Sequence, residues 1–307
     1  IFKRITFLIL LSFIITNISK SDFKEIKKKA IITKPEIIFP IREKLDKCIN
    51  NMYVNQTTNP VLPVIKVEAP SGYGLDNRFM YALNKFENFK RPCGGGDIEA
   101  CENVKRVILD WAKADAAKRT GPSNHEGRHW NDTLTVNLWV ASPMMAGYSF
   151  AKQIIKVPDN EDKIIKDWFE RIVKKNKHLM YGMTYKQGTQ AIGVPKRAHN
   201  HALSSAIAHM ELGILLNDNT QFRKAFKNYE AAIKHQRGDG SLPIETRRGG
   251  RAMFYQGRAM NALSVIAIVA ENQGYNIWEY DYKGKNFHNI VKFFIDFTET
   301  NEIVFKY

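Results

Sequence analysis

Residues 239–274, DGSLPIETRRGGRAMFYQGRAMNALSVIAIVAENQG, decide how this chain folds. A turn of Asp, Gly, Ser and Pro leads through a basic, glycine-rich corner into an apolar run with helical spacing over 250–272. The same period recurs at 76–89, 102–118, 133–155, 160–177, 200–216, 221–236 and 286–298. Asp159-Asn160 opens one of these segments, and Asn217-Asp218-Asn219 separates two others. Hardly any stretch alternates with period two. The spacing predicts an all-α chain of hairpin-linked antiparallel helices. No motif repeats at a fixed period, which disfavours a repeat array. The polar, chemically interesting residues lie at helix ends and joints. That placement suits an incomplete α/α barrel, or toroid, with a deep cleft lined from one rim.

Outward from this core, the chain divides into three parts. Residues 1–20 read as a secretory signal, with Lys3 and Arg4 ahead of an apolar run from Ile5 to Ile15. The run is short for a membrane span. It has no clean small-x-small cleavage site, so an uncleaved anchor stays open beside export. Residues 21–75 read as an irregular N-terminal extension with one short helix, ending in a possible lid loop, PSGYGLDNR at 70–78. Residues 76–307 form the helical domain. Three cysteines, Cys48, Cys93 and Cys101, fit an exported protein with at most one disulfide. Cys93 and Cys101 flank GGGDIEA and either close a short loop or remain thiols.

Apolar content of 44% and charged content of 25% are ordinary for a globular protein, but the net charge of +15 is not. Such an excess favours a polyanion: nucleic acid, anionic membrane or an acidic polysaccharide. AT-rich coding accounts for lysine in a chain also rich in Ile and Asn. It does not account for arginines gathered at 247, 248, 251 and 258. No basic helix, aromatic RNA-binding strand or zinc-finger spacing is present, which sets nucleic acid aside. The chain also lacks CxxC, HExxH, GxSxG and glycine-loop signatures, so no metal or cofactor is expected.

The candidate site residues each carry a bland reading beside the chemical one. Asn200-His201 sits in KRAHNHALSSAIAHMELG, where a loop enters an apolar helix, and Asn200 is simplest as an N-cap. Lys196, Arg197 and His199 add positive charge at the same point. Arg247 and Arg248 follow Glu245, so the plain alternative is a salt-bridged turn. Arginine forks also bind carboxylates bidentately, which suits a uronate. If the helix begins early, Arg248, Arg251, Tyr255 and Arg258 share one stripe. Tyr255 is then either a core tyrosine or an acid–base group beside arginine. Trp111 reads as core. Trp130, in GRHWNDTLTVN with Arg128, reads as a sugar-stacking residue ahead of a helix. Together Asn200, His201, Arg248 and Tyr255 are suited to taking a proton from a carbon beside a carboxylate.

In order and spacing, LDWAKADA, HWNDTLTVNLWVA, HNHALSS and the 239–274 stretch resemble the alginate lyases of polysaccharide lyase family 5, over about residues 101–275. The resemblance implies an α/α toroid and a periplasmic or secreted enzyme that cleaves mannuronate-rich alginate by β-elimination without a cofactor. It implies that Asn200 and Arg248 neutralise the carboxylate beside C5, that His201 assists, and that Tyr255 moves protons between C5 and O4. Arg128, Trp130, Arg197, Arg247 and Arg251 would bind substrate, and Lys66, Tyr73 and Arg78 fall where a lid would. The expected partner is an anionic polysaccharide met by a monomer, with no nucleic acid and no stable membrane association after export. The chain departs from the family at His199, where Asn is usual, at Ala202-Leu203-Ser204, where an aromatic is usual, and at the double glycine 249–250. A glucuronan lyase, a non-catalytic polysaccharide-binding protein and a basic surface protein are the alternatives.

Overall fold

The structure is a computed structural model, and it describes residues 23–41, 66–67, 77–117, 119–120, 140–175 and 194–300. The leader, Tyr73, Arg128 and Trp130 lie outside the described residues. The helices are α1 (Phe23–Lys29), α2 (Asn77–Gly94), α3 (Ile98–Lys113), α4 (Ser142–Ile154), α5 (Asp159–Lys175), α6 (Asn200–Leu216), α7 (Asn219–His235), the short α8 (Pro243–Thr246), α9 (Ala252–Asn272) and α10 (Phe287–Glu299). A two-residue parallel pairing joins β1 (Lys66–Val67) to β2 (Arg119–Thr120), with Lys66 opposite Arg119. The architecture is all-α, as the periodicity predicts, and the helices form an α/α toroid.

Helix ends follow local chemistry more than periodicity. Helix α3 starts earlier than expected because Asp97 caps it, accepting from the Ala100 N–H. It stops at Lys113 because Asp115 and Ala117 turn to positive φ, 48° and 56°. A disulfide between Cys93 and Cys101 ties the end of α2 to α3, which settles the choice left open by the spacing. Trp111 is fully buried, as its place on an amphipathic helix implies.

Helix α6 is the centre of the domain. Sixteen of its 17 residues are buried, from Asn200 to Leu215. A helix enclosed on every side is mostly apolar, and α6 is so apart from buried polar groups such as His209 and Glu211; it packs against α4, α5, α7 and α9. It turns into α7 through Asn217, in the left-handed region at φ 53°, and Asp218, whose carboxylate accepts from the Thr220 and Gln221 N–H groups. Gly213 permits the close return: a Cβ there would stand 2.5 Å from the Phe222 nitrogen.

The N-terminal segment is strapped across this core. Phe23 stacks on Tyr280 with ring centroids 4.0 Å apart. Gln273 Oε1 accepts from the N–H groups of Thr33 and Lys34, while its Nε2 donates to the carbonyls of Lys34 and Ile37. Ser149 on α4 takes the Ile38 N–H at 2.9 Å. Each buried backbone group left unpaired costs about 1–3 kcal/mol, so Gln273, with four such groups satisfied, does much to fix the strap's course.

Glu211 is buried on α6 beside Ser142 at the start of α4, and burial pushes its carboxyl up to about 8, against the opposing pull of Ser142 and Lys90. Between the ordinary 4.5 and about 8 the folded chain keeps a proton that the unfolded chain has released, so stability falls as pH rises through that window. His201 and His209, depressed to about 3 and about 4 from 6.5, work the other way but finish by about pH 6.5. The variant Glu211→Gln should therefore lose less thermal stability than the parent between about pH 6.5 and 8.5. Parallel melting curves at the two ends of that range check this.

Candidate active site

The site is assembled where three chain turns meet: the entry to α6, the turn carrying α8, and the corner before α9. At the first, the 3₁₀ turn Lys196–Ala198 hands the chain to His199, which is the N-cap of α6 in place of Asn200. His199 Nδ1 faces the His201 N–H at 3.1 Å. Asn200 becomes the first helical residue and is free for another partner. Its backbone N–H and its side-chain Nδ2 both donate to Glu245, each at 2.9 Å.

Glu245 also meets Arg248, whose Nε lies 3.3 Å from its second oxygen. The salt-bridged turn and the chemical cluster are thus one structure. Glu245 is fully buried, and its helix α8 is pinned from below: Gln256 Oε1 on α9 accepts from the Leu242 N–H at 3.0 Å, and Arg237 donates to Thr246 Oγ1 at 2.7 Å. Gln256 follows Tyr255, so the same bond fixes the first turn of α9 and the direction of the tyrosine.

The expected stripe of Arg248, Arg251, Tyr255 and Arg258 does not form. Residues Gly249–Arg251 make a 3₁₀ turn and α9 begins only at Ala252, so Arg248 lies outside the helix. Gly249 holds φ 55° at this corner, which gives the first of the two glycines its reason. Arg248 instead folds back, placing its guanidinium carbon 3.8 Å from the centre of the Tyr255 ring. Its Nη2 lies 2.5 Å from His199 Nε2. A neutral imidazole has one donor and one acceptor nitrogen, and arginine only donates. Only one of His199's two contacts can therefore be a hydrogen bond at a time.

Burial and the neighbouring arginines set the charges. His201 is held down to about 3 by burial first, then by Arg248 and Arg258. His199 is held well below its ordinary value by burial, His201 and Arg248. Both rings, 4.8 Å apart, are neutral at pH 7. Burial pushes Glu245 up to about 7, against the pull of Arg248 and the Asn200 donors. Among the described residues, the Tyr255 hydroxyl and Arg248 Nη1 make no hydrogen bond, and both groups are partly exposed.

The four residues singled out for chemistry are therefore together, beside a cleft of about 1020 Å³ whose lining includes Asn200, Ser204, Phe254 and Arg258. The predicted binding residues are not all brought in. Arg197 is half-buried in its 3₁₀ turn, with its carbonyl taken by Asn228 Nδ2. Arg247 and Arg251 are exposed on the corner, where the Arg251 N–H donates to the Arg248 carbonyl at 3.2 Å. Lys66 is placed in β1, and Arg128, Trp130 and Tyr73 lie outside the described residues. Sequence reasoning underrated Glu245 and His199. The signal for Glu245 was available, since it is the sole acid between Ser241 and Gly257 and stands three residues before Arg248.

Comparison with known proteins meets this geometry independently. The family model described as alginate lyase matches residues 34–305. Alginate lyases of Pseudomonas syringae pv. syringae and Cobetia marina are 25% and 26% identical over 186 residues, 59% of this chain and 45% of theirs. The chain thus spans about half the length of these curated relatives. Alginate lyase A1-III from Sphingomonas species A1 superposes with a TM-score of 0.62 at 18% identity, covering 94% of this chain and 78% of that one. A complex of an A1-III variant with a tetrasaccharide gives 0.62 over 94% and 79%. With its helical toroid, and with the family model running through nearly all of its helices, this chain belongs to the alginate lyase family.

Proposed function

We propose that this protein is a polysaccharide lyase that cleaves a polyuronate, with mannuronate-rich alginate first among substrates, by β-elimination. The observation that carries the reading is the Arg248 guanidinium lying on the Tyr255 ring, near a neutral His201 and joined through Glu245 to Asn200, which lines a large cleft. Membership of the alginate lyase family supports it, as does the tetrasaccharide bound by an A1-III variant. The Cys93–Cys101 disulfide and the basic-then-apolar leader support export to the periplasm or medium.

In this reading the substrate carboxylate takes the place of His199 on Arg248 and approaches the Asn200 amide. Neutralising that charge acidifies the neighbouring C5–H and stabilises the enolate-like species as it forms. Tyr255, partly exposed and next to Phe254 of the cleft lining, takes the C5 proton. The C5–H electrons become the C4=C5 double bond, the C4–O4 bond breaks, and the proton passes to O4. No proton is consumed overall. His201, uncharged, serves as a hydrogen-bonding partner to the reacting sugar or to Tyr255. Glu245 acts through the others: it holds Asn200 and Arg248 at fixed separation and touches no substrate.

The first test is absorbance near the ultraviolet band of an unsaturated uronate, with polymannuronate, polyguluronate and glucuronan offered separately. A rise on polymannuronate supports the reading, a rise on glucuronan alone moves the substrate, and no rise with oligosaccharide bound leaves a binding protein. The variant Tyr255→Phe should lose roughly 10²–10⁴-fold in kcat with its melting temperature retained. Arg248→Ala should lower kcat by about 10²–10³-fold and raise KM as well. If Tyr255→Phe turns over normally, the proton shuttle lies elsewhere.

The pH profile gives a further check. When Glu245 takes a proton it no longer accepts from both Asn200 and Arg248, so kcat/KM should fall as pH drops through about 7. His201 is already neutral and adds no limb until about pH 3. An imidazole proton resonance for His201 that titrates near its ordinary 6.5 would contradict this assignment.

A further inference from the structure

The cleft continues past the catalytic cluster along α9. Phe254, Arg258, Asn261 and Val265 stand at i, i+4, i+7 and i+11, and all four line it. From the first to the last is 11 residues, about 16 Å of helix, so the wall is several sugar units long. The floor below is Ser204 and Ile207 of α6, continuing from Asn200.

Two side chains on this wall are unusual for their surroundings. Phe254 is 56% exposed, more than the other exposed large apolar residues of its helix, Met253 and Ile268. Single exposed aromatics are common on protein surfaces, but this one is held in place inside a cleft. Tyr255 meets it edge-on, with centroids 5.2 Å apart and planes at 81°. Arg258, one turn along, places its guanidinium carbon 4.7 Å from the Phe254 ring centre. Arg258 also lies near enough to His201 to lower its basicity, so it borders the catalytic cluster as well as the open cleft. The Glu87 carboxylate on the facing wall does not oppose an anion here, because Lys90 and Arg91 pair with it.

An aromatic face fixed beside a guanidinium matches one kind of ligand closely. The apolar face of a pyranose packs on the ring, and its carboxylate meets the cation. We propose that Phe254 and Arg258 form a sugar-binding station for a uronate unit flanking the one held at Arg248 and Tyr255, and that this station sets the enzyme's preference for longer chains. The inference rests on reading the site as that of a polyuronate-cleaving enzyme. It assigns these two residues to substrate binding and gives them no part in proton transfer.

The station has a signature that a purely structural role lacks, because it depends on substrate length. With defined oligomannuronates, Phe254→Ala should raise KM roughly 3–10-fold for oligomers long enough to reach the station. The shortest cleavable oligomer should show little change. Phe254→Trp should restore the long-chain KM. Arg258→Gln should raise it about tenfold or more and weaken its dependence on salt. Melting temperatures of the three variants report whether folding is intact. If KM rises equally for short and long oligomers, or for none, the station is overturned while the lyase reading stands. Calorimetric binding of a long oligomannuronate to the Tyr255→Phe protein, with and without Phe254→Ala, separates the two ideas. Weaker binding with Phe254→Ala keeps the station even if the parent shows no elimination. If no oligouronate binds at all, station and lyase reading fall together.

Discussion

One buried carboxylate organises the site. Glu245 sits at zero exposure between the start of α6 and the corner before α9, and takes two N–H groups from Asn200 and the Nε of Arg248. Removing one member of such a buried set costs about 3–5 kcal/mol, because the others are left unpaired away from water. The remaining geometry follows. With both its donors engaged, Asn200 is the first helical residue and leaves capping to His199. With Nε engaged, Arg248 is turned so that its plane meets Tyr255 and its Nη2 meets His199. Two turns distant in sequence are thereby locked to one spacing by a single buried acid.

The scaffold makes this lock rigid and sets its charge. Helix α6 is buried on all sides, and Asn200, His201 and Ser204 gather at its N-terminal end while His209 and Glu211 lie further along. Burial there would strongly disfavour a charged imidazole, and two arginines disfavour it further, so the histidines stay neutral beside cations. The result is a site with positive charge on guanidinium groups alone, each restrained by stacking: Arg248 on Tyr255 and Arg258 on Phe254. Stacking leaves the edges of a guanidinium available to a carboxylate while fixing its plane.

Much of this was legible in the sequence, and the failures have physical causes. Helix α6 was read with its observed bounds because a largely apolar segment lies between the loop ending at His199 and the turn residues Asn217-Asp218-Asn219. Helix α3 was misplaced by four residues at its start, since a cap at Asp97 outranks the onset of periodicity at 102. The four residues singled out from their types and spacing lie together in the fold, yet the stripe drawn through Arg248, Arg251, Tyr255 and Arg258 does not form. A 3₁₀ turn at 249–251 rotates the chain, and only the fold brings Arg248 onto Tyr255. Glu245 looked like half of a surface ion pair, because sequence does not reveal that its carboxylate is enclosed. Phe254 looked like one more apolar residue in an apolar helix, since helical spacing does not say which face a cleft leaves open.

The basic surplus and the arginine cluster therefore do different work. Many of the lysines answer acids one turn away on the surface, as in Lys163–Asp167, Lys234–Glu230 and Lys292–Asp296. Such pairs add little stability, about 0.3–0.5 kcal/mol each, and their charge is largely local. These pairs are net neutral, so the whole +15 remains to act at long range: such an excess favours a polyanion, and salt screens it beyond about 10 Å. Recognition at the cleft wall is different, because Arg248 and Arg258 lie against aromatic rings and neutral histidines, where the screening is weaker. A chain with the same net charge spread on lysines would still collect polyanions and would have nothing to hold one carboxylate beside one phenol. On this view the lysine-rich composition tunes how fast substrate arrives, while Glu245, by fixing Arg248, determines whether it reacts.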